Sequence, residues 1–131
     1  MNLKLNKGQI ERFSRQIILK NIGASGQKKI IQSKVLIIGM GGLGCPVAEF
    51  LTRAGVGYLG IVDSDNVDLS NIHRQSLYDI NDLKKSKVVA AQKKLKRINS
   101  RIKVNCFKVR LNKNNYSKII KQYDYIVDGS D

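Results

Sequence analysis

The spacing of apolar and polar residues changes several times along the chain, and each change marks an element. Between Gly8 and Lys20, Ile10, Phe13, Ile17 and Ile18 recur at helical spacing with Arg12 and Arg15 beside them, which predicts an amino-terminal helix. A second short helix is predicted over 27–32. Val35 to Ile38 is then wholly apolar, as a strand buried on both faces of a parallel sheet must be. Leu43, Val47, Phe50, Leu51 and Ala54 return to helical spacing, with Pro46 suited to the first turn and Gly55 to the stop. Tyr58 to Val62 is a second strand, set parallel to the first by a right-handed crossover. Residues 64–79 are polar and irregular. A helix is predicted over 82–99 from Leu83, Val88, Ala91, Leu95 and Ile98. A third strand is predicted over 102–109, a short helix over 112–122 with Asn112 as its cap, and a fourth buried strand over 125–127.

No repeat, proline-rich linker or low-complexity tract interrupts this βαβαβ order. The expected class is therefore α/β, a Rossmann-like, doubly wound and mainly parallel sheet preceded by a helical segment. A chain of 131 residues can bury one core of ordinary size and little more. It stops at the carboxyl edge of the fourth strand, where an active-site loop should begin, so it is expected to be the amino-terminal part of a longer protein and inactive alone.

Composition narrows the function. A net charge of +14 and a pI near 10.0 would attract a polyanion. The excess is diffuse, however, with lysine outnumbering arginine amid abundant Ile and Asn, and no basic stripe interleaved with aromatics. A dedicated nucleic-acid role is not expected. No apolar run approaches the roughly 18 residues of a membrane span, and the first residues lack a signal peptide's apolar core. A soluble, cytoplasmic protein without a membrane partner is expected. Cys45 and Cys106 are too few and too far apart for a disulfide framework or a Cys-x-x-Cys metal site, so each is read as a free, buried thiol.

Gly39, Gly41 and Gly44 match the G-x-G-x-x-G spacing, with Gly42 an extra glycine at the tight point. Such glycines let backbone N–H groups approach phosphates at the positive end of the following helix. Asp63, ending the second strand, is placed to accept hydrogen bonds from a ribose. These features serve NAD and ATP equally, and a ligand-free tight turn would look similar. Asp63, Asp65 and Asp68 do not form a calcium loop, because Val67 occupies its fifth position and no glycine or distal glutamate follows in register. Asp65 and Asp68 are read as loop carboxylates or caps, and Asp128 as structural. By spacing alone, Lys87 is one more solvated charge.

"RFSRQI", "LSNIHRQ", "KKSK" and "VDGSD" stand in order around that fingerprint. With them the chain resembles, over essentially its whole length, the ThiF/MoeB/HesA adenylyltransferases, relatives of the ubiquitin-activating enzymes. Within them it is most similar to the enzymes that activate the sulfur carriers of molybdopterin or thiamine synthesis. The resemblance implies an ATP-dependent enzyme forming an acyl-adenylate on the carboxy-terminal glycine of a ubiquitin-like sulfur carrier ending in Gly-Gly. It implies that Gly42 belongs to the phosphate-binding turn and that Asp63 contacts the ribose. Ser70, Asn71, Ile72, His73 and Arg74 would form a nucleotide-contacting loop, in which His73 is assigned no chemistry of its own. Lys87 would reach the phosphates, Asp131 would hold a catalytic Mg2+, and Arg15 would cross into the site of a homodimer partner. Residues 1–33 are then a helical segment packing on the core and the partner, and 34–131 the first part of an ATP-binding domain. The zinc-binding Cys-x-x-Cys pairs and acceptor cysteine of such enzymes would lie beyond Asp131. The alternatives are an NAD-dependent dehydrogenase, which has no use for Arg74, Lys87 and Asp131 converging on phosphates, and a non-catalytic nucleotide-binding fragment.

Overall fold

The structure is a computed structural model and describes residues 3–131. Four parallel strands, β1 (Lys34–Ile38), β2 (Tyr58–Val62), β3 (Lys103–Phe107) and β4 (Tyr125–Asp128), lie in the order β3-β2-β1-β4. Helix α4 (Gly44–Ala54) joins β1 to β2 and α5 (Lys87–Ile98) joins β2 to β3. The chain then crosses back to the far side of β1 through α6 (Tyr116–Ile120). Winding thus reverses at β1, and the crevice between β1 and β4 is the topological switch point, where such sheets bind ligands. This is the doubly wound α/β class expected from the strand and helix periods.

Alternation within each strand divides the core. Val35 and Ile37 of β1, Leu59 and Ile61 of β2, and Val104 of β3 join Ala48 of α4 and Val88, Ala91 and Leu95 of α5 in the main cluster. Leu36 and Val62 point the other way, to Ile119 of α6, Phe107 and Tyr123. Residues such as Leu36, Ile37 and Ile61 are fully enclosed, each worth about 1.5–3 kcal/mol of hydrophobic burial. Gly60 allows Tyr123 to lie across β2, since a Cβ there would collide with the phenol ring. No helix of the described residues is long and apolar enough to cross a membrane.

The amino-terminal helix is not continuous. Asn6 caps α1 (Lys7–Arg12) in a reciprocal pair with Gln9, and the chain leaves helical geometry at Phe13 before α2 (Ser14–Ile17). Phe13 is buried against Gly55 while Ile10 and Ile18 remain exposed, so packing of one ring decides the break. Helix α3 (Gly23–Gln32) starts earlier than its predicted first residue, Gln27. Helix α5 starts later than expected, because Asp79 caps a 3-10 turn at Ile80–Asp82 and Lys84 adopts a left-handed φ of 67°. Strand β3 ends at Phe107, whose carbonyl accepts the Asp63 N–H. Asn112 caps a turn, accepting from Asn114 and Asn115, rather than α6 itself.

The amino-terminal segment is tied to the sheet through the carboxyl end of α4. Gly55, at φ 104°, closes that helix with Gly55 N–H to Thr52 and Val56 N–H to Leu51. The Ala54 carbonyl accepts from Gln27 Nε2 at 3.0 Å and Gln16 Nε2 at 2.9 Å, and Gln16 also donates to Gln27 Oε1 at 2.7 Å. A Cβ on Gly55 would stand 2.7 Å from both Gln27 Nε2 and Phe13 Cζ. Gly55→Ala in the full-length protein should therefore cost roughly 2 kcal/mol or more, from left-handed strain plus overpacking. Equilibrium denaturation checks this, and an unchanged midpoint would mean that Phe13 and Gln27 do not fix this corner.

Candidate functional site

An open cleft of ≈ 580 Å³ lies at the carboxyl ends of the strands. Its floor is the turn after β1. Gly39, at φ 87°, donates to the Val62 carbonyl at 2.8 Å, and a Cβ there would stand 2.9 Å from the Gly129 and Ser130 backbone. Only glycine lets the turn meet the end of β4 this closely. A Cβ on Gly44 would stand inside the Gly39 carbonyl oxygen, so Gly44 seats α4 beneath the turn and is itself buried. Gly41 and Gly42 line the cleft, and their N–H groups donate to no acceptor among the described residues. Unclaimed amides at the start of α4 are an anion-binding arrangement.

Three elements bring charge to this floor. Asp63, one residue beyond β2, accepts from Met40 N–H with Oδ2 and from Asp65 N–H with Oδ1, both at 2.8 Å. Its carboxylate is thus oriented, with lone pairs remaining for a ligand hydroxyl. Asp68 caps the 3-10 turn Leu69–Asn71, and its carboxyl is held below the usual range by the Ser70 N–H and hydroxyl. From that turn Arg74 folds back over Gly42, with Nη1 donating to the Ser70 carbonyl at 3.2 Å. Lys87 arrives by a route invisible in its spacing. Residues 65–67 pair with 84–87 through Val67 N–H to Lys85, Lys84 N–H to Val67, Lys87 N–H to Asp65 and an antiparallel bridge between Asn66 and Ser86. Lys87 is thereby buried at the cleft, 6% exposed, and its one ion pair among the described residues, to an exposed Asp65 carboxylate, is 3.9 Å long. That distance exceeds a hydrogen bond, leaving ammonium donors for an anion.

The opposite wall is the end of β4. Gly129 N–H donates to the Ile38 carbonyl at 2.7 Å. Asp128 accepts from the Ser130 hydroxyl and N–H, which lower its carboxyl pKa and fix the loop carrying Asp131 into the cleft.

The cleft gathers Gly39, Gly41, Gly42, Asp63, Arg74, Lys87 and Asp131. Ser70, Asn71, Ile72 and His73 do not line it; Ser70 and Asn71 exchange hydrogen bonds with Asp68, and His73 Nδ1 meets the Ser70 carbonyl at 3.0 Å. Exposed Arg15 lies away from the cleft of its own chain. Val109, Arg110 and Leu111 are lining residues that sequence patterns did not single out, and Gln75, which ends the LSNIHRQ stretch, lines the cleft without having been given a role. Val109 and Leu111, with Ile38, are apolar members of the lining. Nothing in their spacing advertises this, since they follow β3 on an irregular segment.

Comparison with known proteins bears on a cleft of this geometry. A model of the ThiF family matches residues 13–131. The chain belongs to the ThiF family. It is 40% identical over 129 residues to the sulfur carrier protein adenylyltransferase of Thermus thermophilus, covering 98% of this chain and 48% of that protein. It is 47% identical over 127 residues to the adenylyltransferase and sulfurtransferase MOCS3 of Dictyostelium discoideum, covering 97% of this chain and 30% of that one. The chain thus spans less than half the length of either relative. Its fold superposes on the crystal structure of PaaA with a TM-score of 0.87 and 32% identity, covering 98% of this chain and 42% of that one. E. coli tRNA N6-threonylcarbamoyladenosine dehydratase, TcdA, in complex with ATP shares the fold at a TM-score of 0.91 and 22% identity, covering 98% and 53% of the two chains.

Among the described residues no three or more His, Cys, Asp or Glu are grouped to hold a metal ion by themselves. Cys45 follows the glycine turn, where a helix amino terminus would favour a thiolate. Burial pushes its pKa up instead, against the lowering contacts of Leu77 and Tyr78. The thiol therefore stays protonated at pH values where an ordinary cysteine begins to ionise. Iodoacetamide at pH 8 followed by peptide mapping of the full-length protein should leave Cys45 unmodified until the protein is unfolded. Equal native and unfolded labelling rates would show that the floor of the cleft opens readily.

Proposed function

We propose that the protein is an ATP-dependent adenylyltransferase that forms an acyl-adenylate on the carboxy-terminal glycine of a ubiquitin-like sulfur carrier. The observation that carries this is the convergence of Arg74, Lys87 and Asp131 on the glycine turn, in a chain of the ThiF family. The names of its relatives, sulfur carrier protein adenylyltransferase and adenylyltransferase and sulfurtransferase, support the same chemistry. Oriented Asp63 takes the ribose hydroxyls, and the amides of Gly41 and Gly42 take phosphate oxygens.

The reaction asks little of acid–base groups, since a terminal carboxylate with pKa about 3.5 is already ionised at neutral pH. What it needs is neutralisation of the triphosphate, so that a carboxylate oxygen can attack the α-phosphorus as pyrophosphate departs. Arg74 and Lys87 supply positive charge at the floor of the cleft. Asp131 fits a Mg2+ site, because magnesium is commonly held by one or two carboxylates together with substrate phosphates and water. Magnesium would neutralise the phosphates it shares. Arg15 completes the partner's site in a homodimer, which accords with its exposure outside its own cleft. The carrier belongs to molybdopterin or thiamine synthesis.

The full-length protein should catalyse exchange of pyrophosphate into ATP that depends on a sulfur carrier, and Lys87→Ala should reduce it by about 10²–10³. Absence of exchange with any sulfur carrier would overturn the proposal. The in-trans role of Arg15 has its own test. Arg15→Ala and Asp131→Ala homodimers should each be nearly inactive, whereas subunits mixed by co-refolding should regain roughly a quarter of all sites under twofold symmetry. No recovery, with mixing confirmed by tagged subunits, would return Arg15 to its own chain.

A further inference from the structure

Gln75 is the cleft residue whose condition is hardest to explain without a ligand. It follows Arg74 directly and lines the cleft, yet is only 3% exposed. Its backbone is satisfied, N–H donating to the Asn71 carbonyl at 2.9 Å and carbonyl accepting from Tyr78 N–H at 3.1 Å. Its side chain is not, because Oε1 is buried with no hydrogen-bond partner.

Elsewhere the fold satisfies its enclosed amides. Fully buried Gln27 has both ends of its amide paired, donating to Ala54 and accepting from Gln16. A buried acceptor left unpaired costs stability, so its retention calls for a compensating role. Ser86 Oγ is the other such atom among the described residues, and it lies outside the cleft lining. The far end of the Gln75 amide faces the glycine turn. A Cβ on Gly41 would stand 3.3 Å from Nε2, so this donor lies against the part of the turn whose own amides lack acceptors.

We propose, resting on the nucleotide reading above, that Gln75 is a phosphate-contacting residue of the site. Nε2 donates to a phosphate oxygen seated on the glycine turn, and Oε1 accepts from a water or hydroxyl that arrives with the nucleotide. A neutral donor here adds a directed hydrogen bond without further positive charge. Both orphaned features, the unpaired oxygen and the donor facing Gly41, are then satisfied by one ligand.

Gln75→Met keeps the side chain's length and removes both polar ends, while Gln75→Glu keeps its shape and replaces the donor with an anion. Binding of ATP and of adenosine to the full-length protein, measured by calorimetry, is compared with melting temperature in the absence of nucleotide. The Met variant should melt no lower than wild type, because an unpaired amide has been removed, and should bind ATP roughly tenfold or more weakly. The Glu variant should lose more ATP affinity still. Adenosine affinity should be unchanged in both. Unchanged ATP affinity in the variants, an equal loss for adenosine, or a lower nucleotide-free melting temperature with wild-type ATP affinity would overturn the role. If the Met variant does not fold, the ATP and adenosine comparison in the Glu variant decides. Failure of wild type to bind ATP would remove the nucleotide reading itself, whereas wild-type binding with unaffected variants removes Gln75 alone.

Discussion

Everything at the candidate site depends on two backbones meeting where side chains are missing. The turn after β1 and the loop after β4 approach so closely that a methyl group on Gly39 would overlap Gly129 and Ser130, and one on Gly44 would overlap the Gly39 carbonyl. Close packing holds the turn in a left-handed conformation, orients α4 from the floor of the cleft and leaves the amides of Gly41 and Gly42 without protein acceptors. The parallel register of β1 with both β2 and β4 then sets Asp63 and Asp131 on either side of that floor. Replacing one of these glycines would therefore alter the position of both walls, as well as the room available above the turn.

The charges are delivered by irregular chain held with ordinary hydrogen bonds. Asp63 is spent in part on the amides of Met40 and Asp65, which fixes both the glycine turn and the start of the following loop. That loop pairs with residues 84–87 and carries the Lys87 ammonium into a nearly enclosed position with one long ion pair. Burying a cation so sparsely paired is costly in the absence of an anion. An anion in the cleft would offset that cost, as in a preorganised electrostatic site. Gln75, with its buried and unpaired Oε1, is likewise short of a partner.

The amino-terminal segment is coupled to this machinery from the opposite end of α4. Gln16 and Gln27 converge on the last helical carbonyl, and Phe13 packs on Gly55. A helix anchored at both ends, by Gly44 against the turn after β1 and by the paired glutamines, has little freedom to move that turn. Arg15 rides on the same segment, so its position relative to the sheet is set by a partly buried polar contact.

Much of the fold was legible along the chain because strands buried on both faces and helices packed on one impose different periods. The runs at 35–38 and 58–62, the glycine spacing at 39–44 and the alternation through 102–109 were sufficient for the doubly wound class and for Asp63 beside the turn. Asp128 could likewise be told from Asp131, since one belongs to the end of a strand and the other to the loop beyond. Tertiary structure decided the rest. Helical spacing over 8–20 could not foresee that Phe13 would leave the helix to fill the corner at Gly55. The resemblance grouped Ser70, Asn71, Ile72 and His73 with Arg74; within 70–75 it is Arg74 and Gln75 that line the cleft. Lys87, Val109 and Leu111 owe their places to hydrogen bonds and packing between segments distant in sequence. Local periodicity records which face of an element is buried; it holds no record of which irregular segments will meet, because those contacts are made only when the sheet has brought them together.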